Sequence, residues 1–330
     1  MILKGKTILI TGGTGSLGSE VAAILQAEEP AEVRIFSRDS SKQAQMSQKH
    51  HSFKYIEGDI CNRKIMAEAV KNCDIVIHTA AIKDIKTCEE NPLAALQCNL
   101  HATLDLLDNC VSNGIERLLL VSSDKALFPS SVMGMTKAIM ERAAVRRIME
   151  SKTASNGKPF SINIIRPGNM LGSSGTVLPL FIGMAKRGEE LTVTNPGMSR
   201  FLMTPKSCAK YVIYTLKNSS PNTLVLEKVP SYTIGNLALA VAELYHPVYR
   251  NSPNKAVRII GENAGEKLHE VMATAGEMGA ATPIGGNFLE IPLFFKQGDS
   301  AGKEYNSFDT PGASVDQLKQ TIKHYEQQPR

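Results

Sequence analysis

None of the six cysteines (Cys61, Cys73, Cys88, Cys98, Cys110 and Cys208) stands in a CxxC pair. That absence argues against a zinc site or a disulfide framework and for a reducing compartment. Cys73 and Cys98 sit beside apolar runs and are expected in the core. Apolar runs long enough to span a membrane are also missing. Met1 to Lys6 leads directly into a strand pattern, so no signal peptide is expected and the chain reads as cytosolic. Lys and Arg are scattered, and the net charge is only +5. A nucleic-acid groove is therefore not expected, whereas a polyanionic small ligand such as a diphosphate suits the balance. There is no internal repeat and no low-complexity block.

The 330 residues, 42% of them hydrophobic, leave room for one large domain with or without a smaller one. Short apolar runs at 7–10, 32–36, 54–57, 74–78, 117–122 and 160–165 read as strands. Helical periodicity covers 17–27, 65–70, 91–113 and 132–150. This alternation predicts an α/β fold, a Rossmann-like doubly wound parallel sheet. After Arg166 the pattern turns irregular and rich in Gly and Pro. The expected division is a dinucleotide-binding domain over 1–166 and a smaller substrate-binding region over 167–330, interleaved with late elements of the sheet. The stretch 151–159 reads as a surface loop, and 298–306 is polar and weakly patterned.

Gly12, Gly15 and Gly18 stand in Thr11-Gly12-Gly13-Thr14-Gly15-Ser16-Leu17-Gly18, between the first strand and the first helix. Small residues there let backbone N–H groups approach a pyrophosphate, and the helix N-terminus adds partial positive charge. In this context Gly12, Thr14, Gly15, Ser16, Leu17 and Gly18 are expected to hold a dinucleotide. At the tip of the second strand an NAD enzyme usually offers an acid for the ribose diol. Here Ser37 and Arg38 fill that place, with Asp39 and Lys42 following. Arg can fork onto a 2′-phosphate, so NADP is expected over NAD; a solvated basic loop is the plainer alternative. Asp59, followed by Ile60, suits either the adenine amino group or a helix cap. Ala80 and Ala81 are small enough to pass close to a cofactor.

Ser122-Ser123-Asp124-Lys125 ends the fifth strand, where open α/β sheets place their chemistry. Met133 and Lys137 follow, four apart on one helical face. An adjacent acid and amine can divide acid and base duties between neighbouring carbons, or can form an exposed ion pair at a turn. The residues alone leave both open.

Taken together, these segments resemble the inverting UDP-N-acetylglucosamine 4,6-dehydratases of capsule, O-antigen and flagellin-sugar synthesis, within the extended short-chain dehydrogenases/reductases. The resemblance covers most of the chain. It includes Ala80-Ala81-Ile82-Lys83, Arg166-Pro167-Gly168-Asn169, Gly175 to Phe181, Met198 to Thr204 and Gly265-Glu266-Lys267-Leu268-His269-Glu270. The wider superfamily carries Tyr-x-x-x-Lys, but Met133 stands in the tyrosine's place, and no tyrosine occurs between Tyr55 and Tyr211. A thioether cannot accept a proton at neutral pH. One branch of the resembled family has Met-Gly-x-x-Lys here, which narrows the match.

The resemblance implies a redox-neutral cycle on NADP. C4 of the sugar is oxidised transiently, Lys125 removes the C5 proton, Asp124 protonates the departing C6 hydroxyl, and hydride returns to C6. Lys125 is expected to be substantially neutral, its pKa lowered by burial and by neighbouring positive charge. Lys137 would orient the nicotinamide ribose, and Lys83 and Asn99 join the cofactor residues. Lys83, Asn169, Val177, Pro179, Arg200 and Glu266 are the implied substrate residues, with Arg200 near the diphosphate and Glu266 at the uridine ribose. Asn169 could equally cap a loop, and Glu266 could be a solvated helix-start carboxylate. His269 has no metal partners at useful spacing and reads as structural; no metal is expected. Pro167, Ser174 and Asn263-Ala264 replace a family Tyr, Arg and Arg-Pro, and Asp84 stands where His is common. The competing readings are a UDP-sugar 4-epimerase and a non-catalytic NADP-binding regulator. Relatives commonly form dimers or hexamers, so a homo-oligomer is expected.

Overall fold

The computed structural model describes residues 2–150, 157, 159–172, 176–263, 265–294 and 302–326. Ser174 and Ala264, most of the expected 151–159 loop and residues 298–301 lie outside the described residues. The first half follows the expected alternation: β1 Thr7–Thr11, α1 Ser16–Leu25, β2 Glu32–Ser37, α2 Ser40–Ser47, β3 Lys54–Glu57, α3 Arg63–Val70 and β4 Ile75–His78. Next come α4 Ile85–Glu90, α5 Pro92–Leu96, α6 Ala102–Ser112, β5 Arg117–Val121, α7 Val132–Glu150 and β6 Ser161–Ile165. The continuous helix expected over 91–113 is interrupted by a π-helical turn at Gln97–His101. Two short helices, α2 and α4, were not expected. Their signals are single capping residues, Asp39 and Asp84, which accept from the backbone N–H of Lys42 and Thr87.

The second half supplies β7 Asn169–Met170, α8 Val177–Lys186, β8 Leu191–Val193, β9 Ser199–Met203, α9 Pro205–Asn218, β10 Thr223–Glu227 and β11 Ser231–Thr233. It continues with α10 Ile234–Tyr245, β12 Val257–Ile259, β13 Val271–Ala273, α11 Ala275–Gly279, β14 Thr282–Gly285, β15 Phe288–Pro292, β16 Tyr305–Asn306 and α12 Val315–Glu326.

The main sheet has nine strands in the order β14-β15-β10-β6-β5-β4-β1-β2-β3. β1 to β6 and β10 run parallel, and β15 and β14 close one edge antiparallel. Strand order reverses between β1 and β4, so the loops leaving both strands open on one crevice at their carboxyl ends. The central strands are buried on both faces, as their unbroken apolar runs require. Leu106, Leu118, Ile162 and Leu226 pack on one face, and Val21, Leu25, Val212 and Leu216 on the other. Cys73 and Cys98 are core residues as expected. A third apolar cluster, with Phe181, Leu191, Leu237, Val241, Leu318 and Ile322, builds the smaller lobe from α8, β8, α10 and α12. The late chain thus contributes both to this lobe and, through α9, β10, β14 and β15, to the main sheet. Among the described residues no helix is long and apolar enough to cross a membrane.

One buried ion triad ties the layers together. Arg166, at the end of β6, donates to Glu141 of α7 at 2.6 Å and to Glu277 of α11 at 2.9 Å. Burial opposes the charge, but both carboxylates hold the guanidinium protonated. A buried pair broken on one side leaves uncompensated charge, which costs about 3–5 kcal/mol. Arg166→Met is accordingly expected to destabilise the fold by about that amount in urea unfolding; a loss under about 1 kcal/mol would show that the triad is not buried in solution.

Candidate active site

A cleft of about 850 Å³ runs along the carboxyl ends of the strands. At one end the loop after β1 enters α1. Gly12 has φ 68°, a left-handed value that disfavours any side chain, and a Cβ there would lie 2.9 Å from the Ala80 backbone. A Cβ on Gly18 would overlap the Gly12 carbonyl oxygen. The N-cap of α1 is Gly15, and no side chain caps it, so the first-turn N–H groups remain available to an anion. Gly12, Thr14, Gly15, Ser16, Leu17 and Gly18 all line the cleft. This cradle, with an uncapped helix terminus behind it, fits the pyrophosphate of a dinucleotide.

Ser37, Arg38, Asp39 and Lys42 line the same end. Their roles differ. Ser37 is buried and accepts from Gln43 at 3.0 Å. Asp39 caps α2 and pairs with Lys42 at 3.3 Å; the backbone N–H of Lys42 is the main reason its carboxyl is lowered. Arg38 reaches across to Asp59 at 3.4 Å. Asp59 also accepts from Cys61 N at 2.8 Å, the turn-capping alternative for this residue. Asp59 is not among the cleft-lining residues; Gly58, Ile60, Ala80 and Ala81 are. Asn99 does not line the cleft either. It is buried in the π-turn, bonds both N and O of Ile82 at 2.8 and 2.9 Å, and donates to Thr136 at 3.1 Å. It therefore positions the loop that carries Ala80, Ala81 and Lys83 rather than reaching into the cleft. Lys83 lines the cleft, and burial lowers its pKa against the pull of Asp84.

The centre of the cleft holds Asp124 and Lys125, on a single 3₁₀ turn after β5. Ser123 donates to Asp124 Oδ1 at 2.9 Å. Lys125 Nζ reaches Asp124 Oδ1 at 3.0 Å, Asn169 Oδ1 at 2.8 Å and Glu270 Oε1 at 3.1 Å. Asp124 Oδ2 is buried with no hydrogen-bond partner among the described residues. Burial pushes the Asp124 carboxyl up, more strongly than Lys125 pulls it down. Lys125 departs from expectation. Burial lowers its pKa, but Asp124 and Glu270 outweigh burial and the repulsion of Arg200, so the ammonium is held above its ordinary range. The amine expected to be neutral is charged, because two carboxylates rather than cations surround it.

Met133 and Lys137 share the inner face of α7 and line the cleft. Met133 also packs on Cys88 and Ala95. Lys137 Nζ donates to Val121 O at 2.9 Å, and burial lowers its pKa to about 8.

At the substrate end Asn169, Val177, Arg200 and Glu266 line the cleft, whereas Pro179 does not; Leu180 lines it instead. Glu266 accepts from Asn263 N at 3.0 Å, closing its own loop. Arg200 is not posed as a free fork. Its terminal nitrogens donate to Ser199 O at 2.7 Å and Lys267 O at 2.9 Å, and its Nε lies 3.8 Å from Glu270. A phosphate there must share or break those bonds. His269 pairs with Ser199 at 2.7 Å, as a structural residue would.

Three site residues were not singled out from sequence. Glu270 and Lys267 lie within the Gly265–Glu270 motif, but nothing in their spacing announces that Glu270 meets Lys125 or that Lys267 pairs with Glu270. Gly134 packs so closely that a Cβ would lie 2.5 Å from the Lys125 carbonyl oxygen. Its signal is present in Met133-Gly134, where a glycine sits inside a helix at a cost that close packing explains. Gly134→Ala is expected to cost about 1–3 kcal/mol by overpacking and to move Lys125 off Asn169. Urea unfolding and a structure of the variant check this; equal stability with an unmoved turn contradicts it.

A family model described as polysaccharide biosynthesis protein matches residues 8–290. A protein of Rickettsia akari (strain Hartford) named UDP-glucose 4-epimerase is 33% identical over 335 residues, covering 96% of this chain and 95% of that one. Among solved structures, Pen from Bacillus thuringiensis is 28% identical with a TM-score of 0.86, covering 98% of this chain and 100% of that one. DesIV from Streptomyces venezuelae, a dTDP-glucose 4,6-dehydratase solved with NAD, shares the fold at a TM-score of 0.69 and 19% identity, over 79% of this chain and 86% of that one.

Proposed function

The chain belongs to the polysaccharide biosynthesis protein family, within the extended short-chain dehydrogenases/reductases, and on that premise we propose that it is an NADP-dependent nucleotide-sugar 4,6-dehydratase. UDP-N-acetylglucosamine, with inversion at C5, is the substrate and outcome this reading favours. The observation that carries it is the Asp124–Lys125 pair in the cleft, with one carboxylate oxygen buried and unpartnered among the described residues. A 4-epimerase works at a single carbon and has no use for an acid and a base aimed at the next two. A 4,6-dehydratase needs both.

A bound nicotinamide dinucleotide supplies reversible acceptance of hydride at C4 and its return at C6. The glycine cradle and the α1 N-terminus would hold its pyrophosphate, Arg38 and Lys42 would meet a 2′-phosphate, and Lys137 would orient the nicotinamide ribose. The chain's own residues then handle protons. Moving one proton from Lys125 Nζ to Asp124 Oδ1, 3.0 Å away, turns the resting ion pair into a neutral amine and a carboxylic acid. Those are the forms the elimination requires, reached without change of net charge. Lys125 takes the C5 proton as the C5–H bond breaks. Asp124 gives its proton to the C6 oxygen, which leaves as water; once C6 has regained hydride, C5 takes back a proton of solvent origin, on the opposite face where the centre inverts. Met133 cannot exchange a proton, so the C4 hydroxyl proton falls to Lys137, whose pKa near 8 suits transfer at neutral pH.

A second reading, a UDP-sugar 4-epimerase, is favoured by the name of the Rickettsia relative. Proton NMR of UDP-N-acetylglucosamine incubated with the protein in D₂O separates the two. A new C6 methyl signal and a 4-keto hydrate are expected; conversion to UDP-N-acetylgalactosamine or an unchanged spectrum overturns dehydration. Lys125→Ala is expected to lower turnover by about 10²–10⁴-fold and to abolish solvent-deuterium incorporation at C5; retained incorporation contradicts its role.

Arg38→Ala is expected to weaken NADP by about 10- to 100-fold, the worth of a charged hydrogen bond, while NAD affinity changes little. Isothermal titration calorimetry with each dinucleotide checks this, and equal losses for both would remove the case for NADP.

A further inference from the structure

Glu270 is one of the most deeply enclosed charges in the molecule, 2% exposed, and it faces the reacting pair. Its Oε1 lies 3.1 Å from Lys125 Nζ and 3.8 Å from Arg200 Nε, and its Oε2 accepts from Lys267 Nζ at 3.2 Å. The charged groups facing it are therefore Lys125 and Asp124 from the turn after β5, Arg200 from β9 and Lys267 from its own loop. Its backbone is pinned on both sides. Glu270 N donates to Ser307 Oγ at 2.9 Å, and Ser307 N donates to Glu270 O at 2.8 Å. Ser307 in turn meets Ser199 Oγ at 2.7 Å, next to Arg200. On the other side of Lys125, Asn169 Oδ1 accepts from its ammonium at 2.8 Å.

The two carboxylates around Lys125 sit in opposite surroundings. Glu270 has three cationic neighbours. Asp124 has only Lys125 and the Ser123 hydroxyl, and one of its oxygens has no partner among the described residues. Two titratable groups driven apart in this way divide the duties of anion and acid. We infer that Glu270 is a positioning residue for the Asp124–Lys125 pair: a permanent carboxylate that holds the Lys125 amine in line, leaves the proton on Asp124 rather than on itself when Lys125 gives it up, and stabilises the ammonium that forms when Lys125 accepts a proton. The directions of titration agree. Burial works against ionised Glu270, but Lys125, Arg200 and Lys267 lower it overall, and Glu270 is in turn among the influences raising Asp124 and Lys125.

The inference rests on the acid–base roles proposed above, and its test can fail separately from theirs. Glu270→Gln keeps the shape and removes the charge. Taking an anion from beside an ammonium and a carboxylic acid makes each lose its proton more readily. Both limbs of the kcat–pH profile are therefore expected to move toward acid by about one pH unit or more, the usual scale for a charge at this distance. Glu270→Asp, which keeps the charge, is expected to return the limbs toward their original positions. A purely structural residue would lower the rate without moving either limb, and that outcome overturns the inference. Independently of turnover, ¹³C NMR of protein labelled at Lys Cε and Asp Cγ follows the two titrations directly. If the parent protein gives no dehydrated product, the proposed reaction fails, while unmoved titrations in Glu270→Gln still reject the role of Glu270. Should Glu270→Gln not fold, Lys267→Gln, which strips a cation from the same carboxylate, is expected to move the titrations toward alkaline pH; unmoved titrations there also overturn it.

Discussion

A buried ammonium is tolerated only when oxygen atoms surround it, because moving an ion out of water costs several kcal/mol and must be offset by close partners. Lys125 has three: carboxylates from Asp124 and Glu270 and the Asn169 carboxamide. They come from the turn after β5, from β7 and from the segment before β13. The cleft takes its shape from that requirement. The glycine at 134 lets α7 approach the turn, Arg166 locks α7 to β6 and α11, and Ser307 fixes the backbone of Glu270. Elements far apart in the chain thus converge on this one cage.

The cage is unequal. Ionic partners are plentiful around Glu270 and Lys125 and scarce around Asp124, whose second oxygen has none among the described residues. Burial there pushes the Asp124 carboxyl above its ordinary range. The pair therefore carries both an acid and a latent base within one short hydrogen bond. This is the property an elimination requires, and a simple oxidation or epimerisation at one carbon does not use it. Burial likewise lowers Lys137 on the next helix, to about 8.

Much of the molecule is legible in the order of its residues. Short apolar runs mark β1 to β6, glycine spacing marks the turn between β1 and α1, and the strand-end position of Asp124-Lys125 marks a place in the cleft. The sequence is silent where one residue's surroundings come from distant chain. The π-turn at Gln97–His101 keeps helical periodicity, so it cannot be told from regular helix. Asn99 reads as a cofactor ligand and instead holds Ile82. Arg200 reads as a phosphate fork and is bound to backbone carbonyls.

What the sequence determined by itself is the set of local decisions: which segments are strands or helices, where the glycine turn before α1 lies, and that an acid and an amine stand side by side just past the carboxyl end of the fifth strand. These depend on neighbours a few residues apart, through backbone sterics, capping and burial of one face. The charge on Lys125 was decided only by tertiary structure. Burial and nearby cations alone would lower the amine's pKa, but Asp124 and Glu270, the latter brought within 3.1 Å by folding, raise it. Electrostatic energy depends on distance through space, and no pattern along the chain encodes that distance.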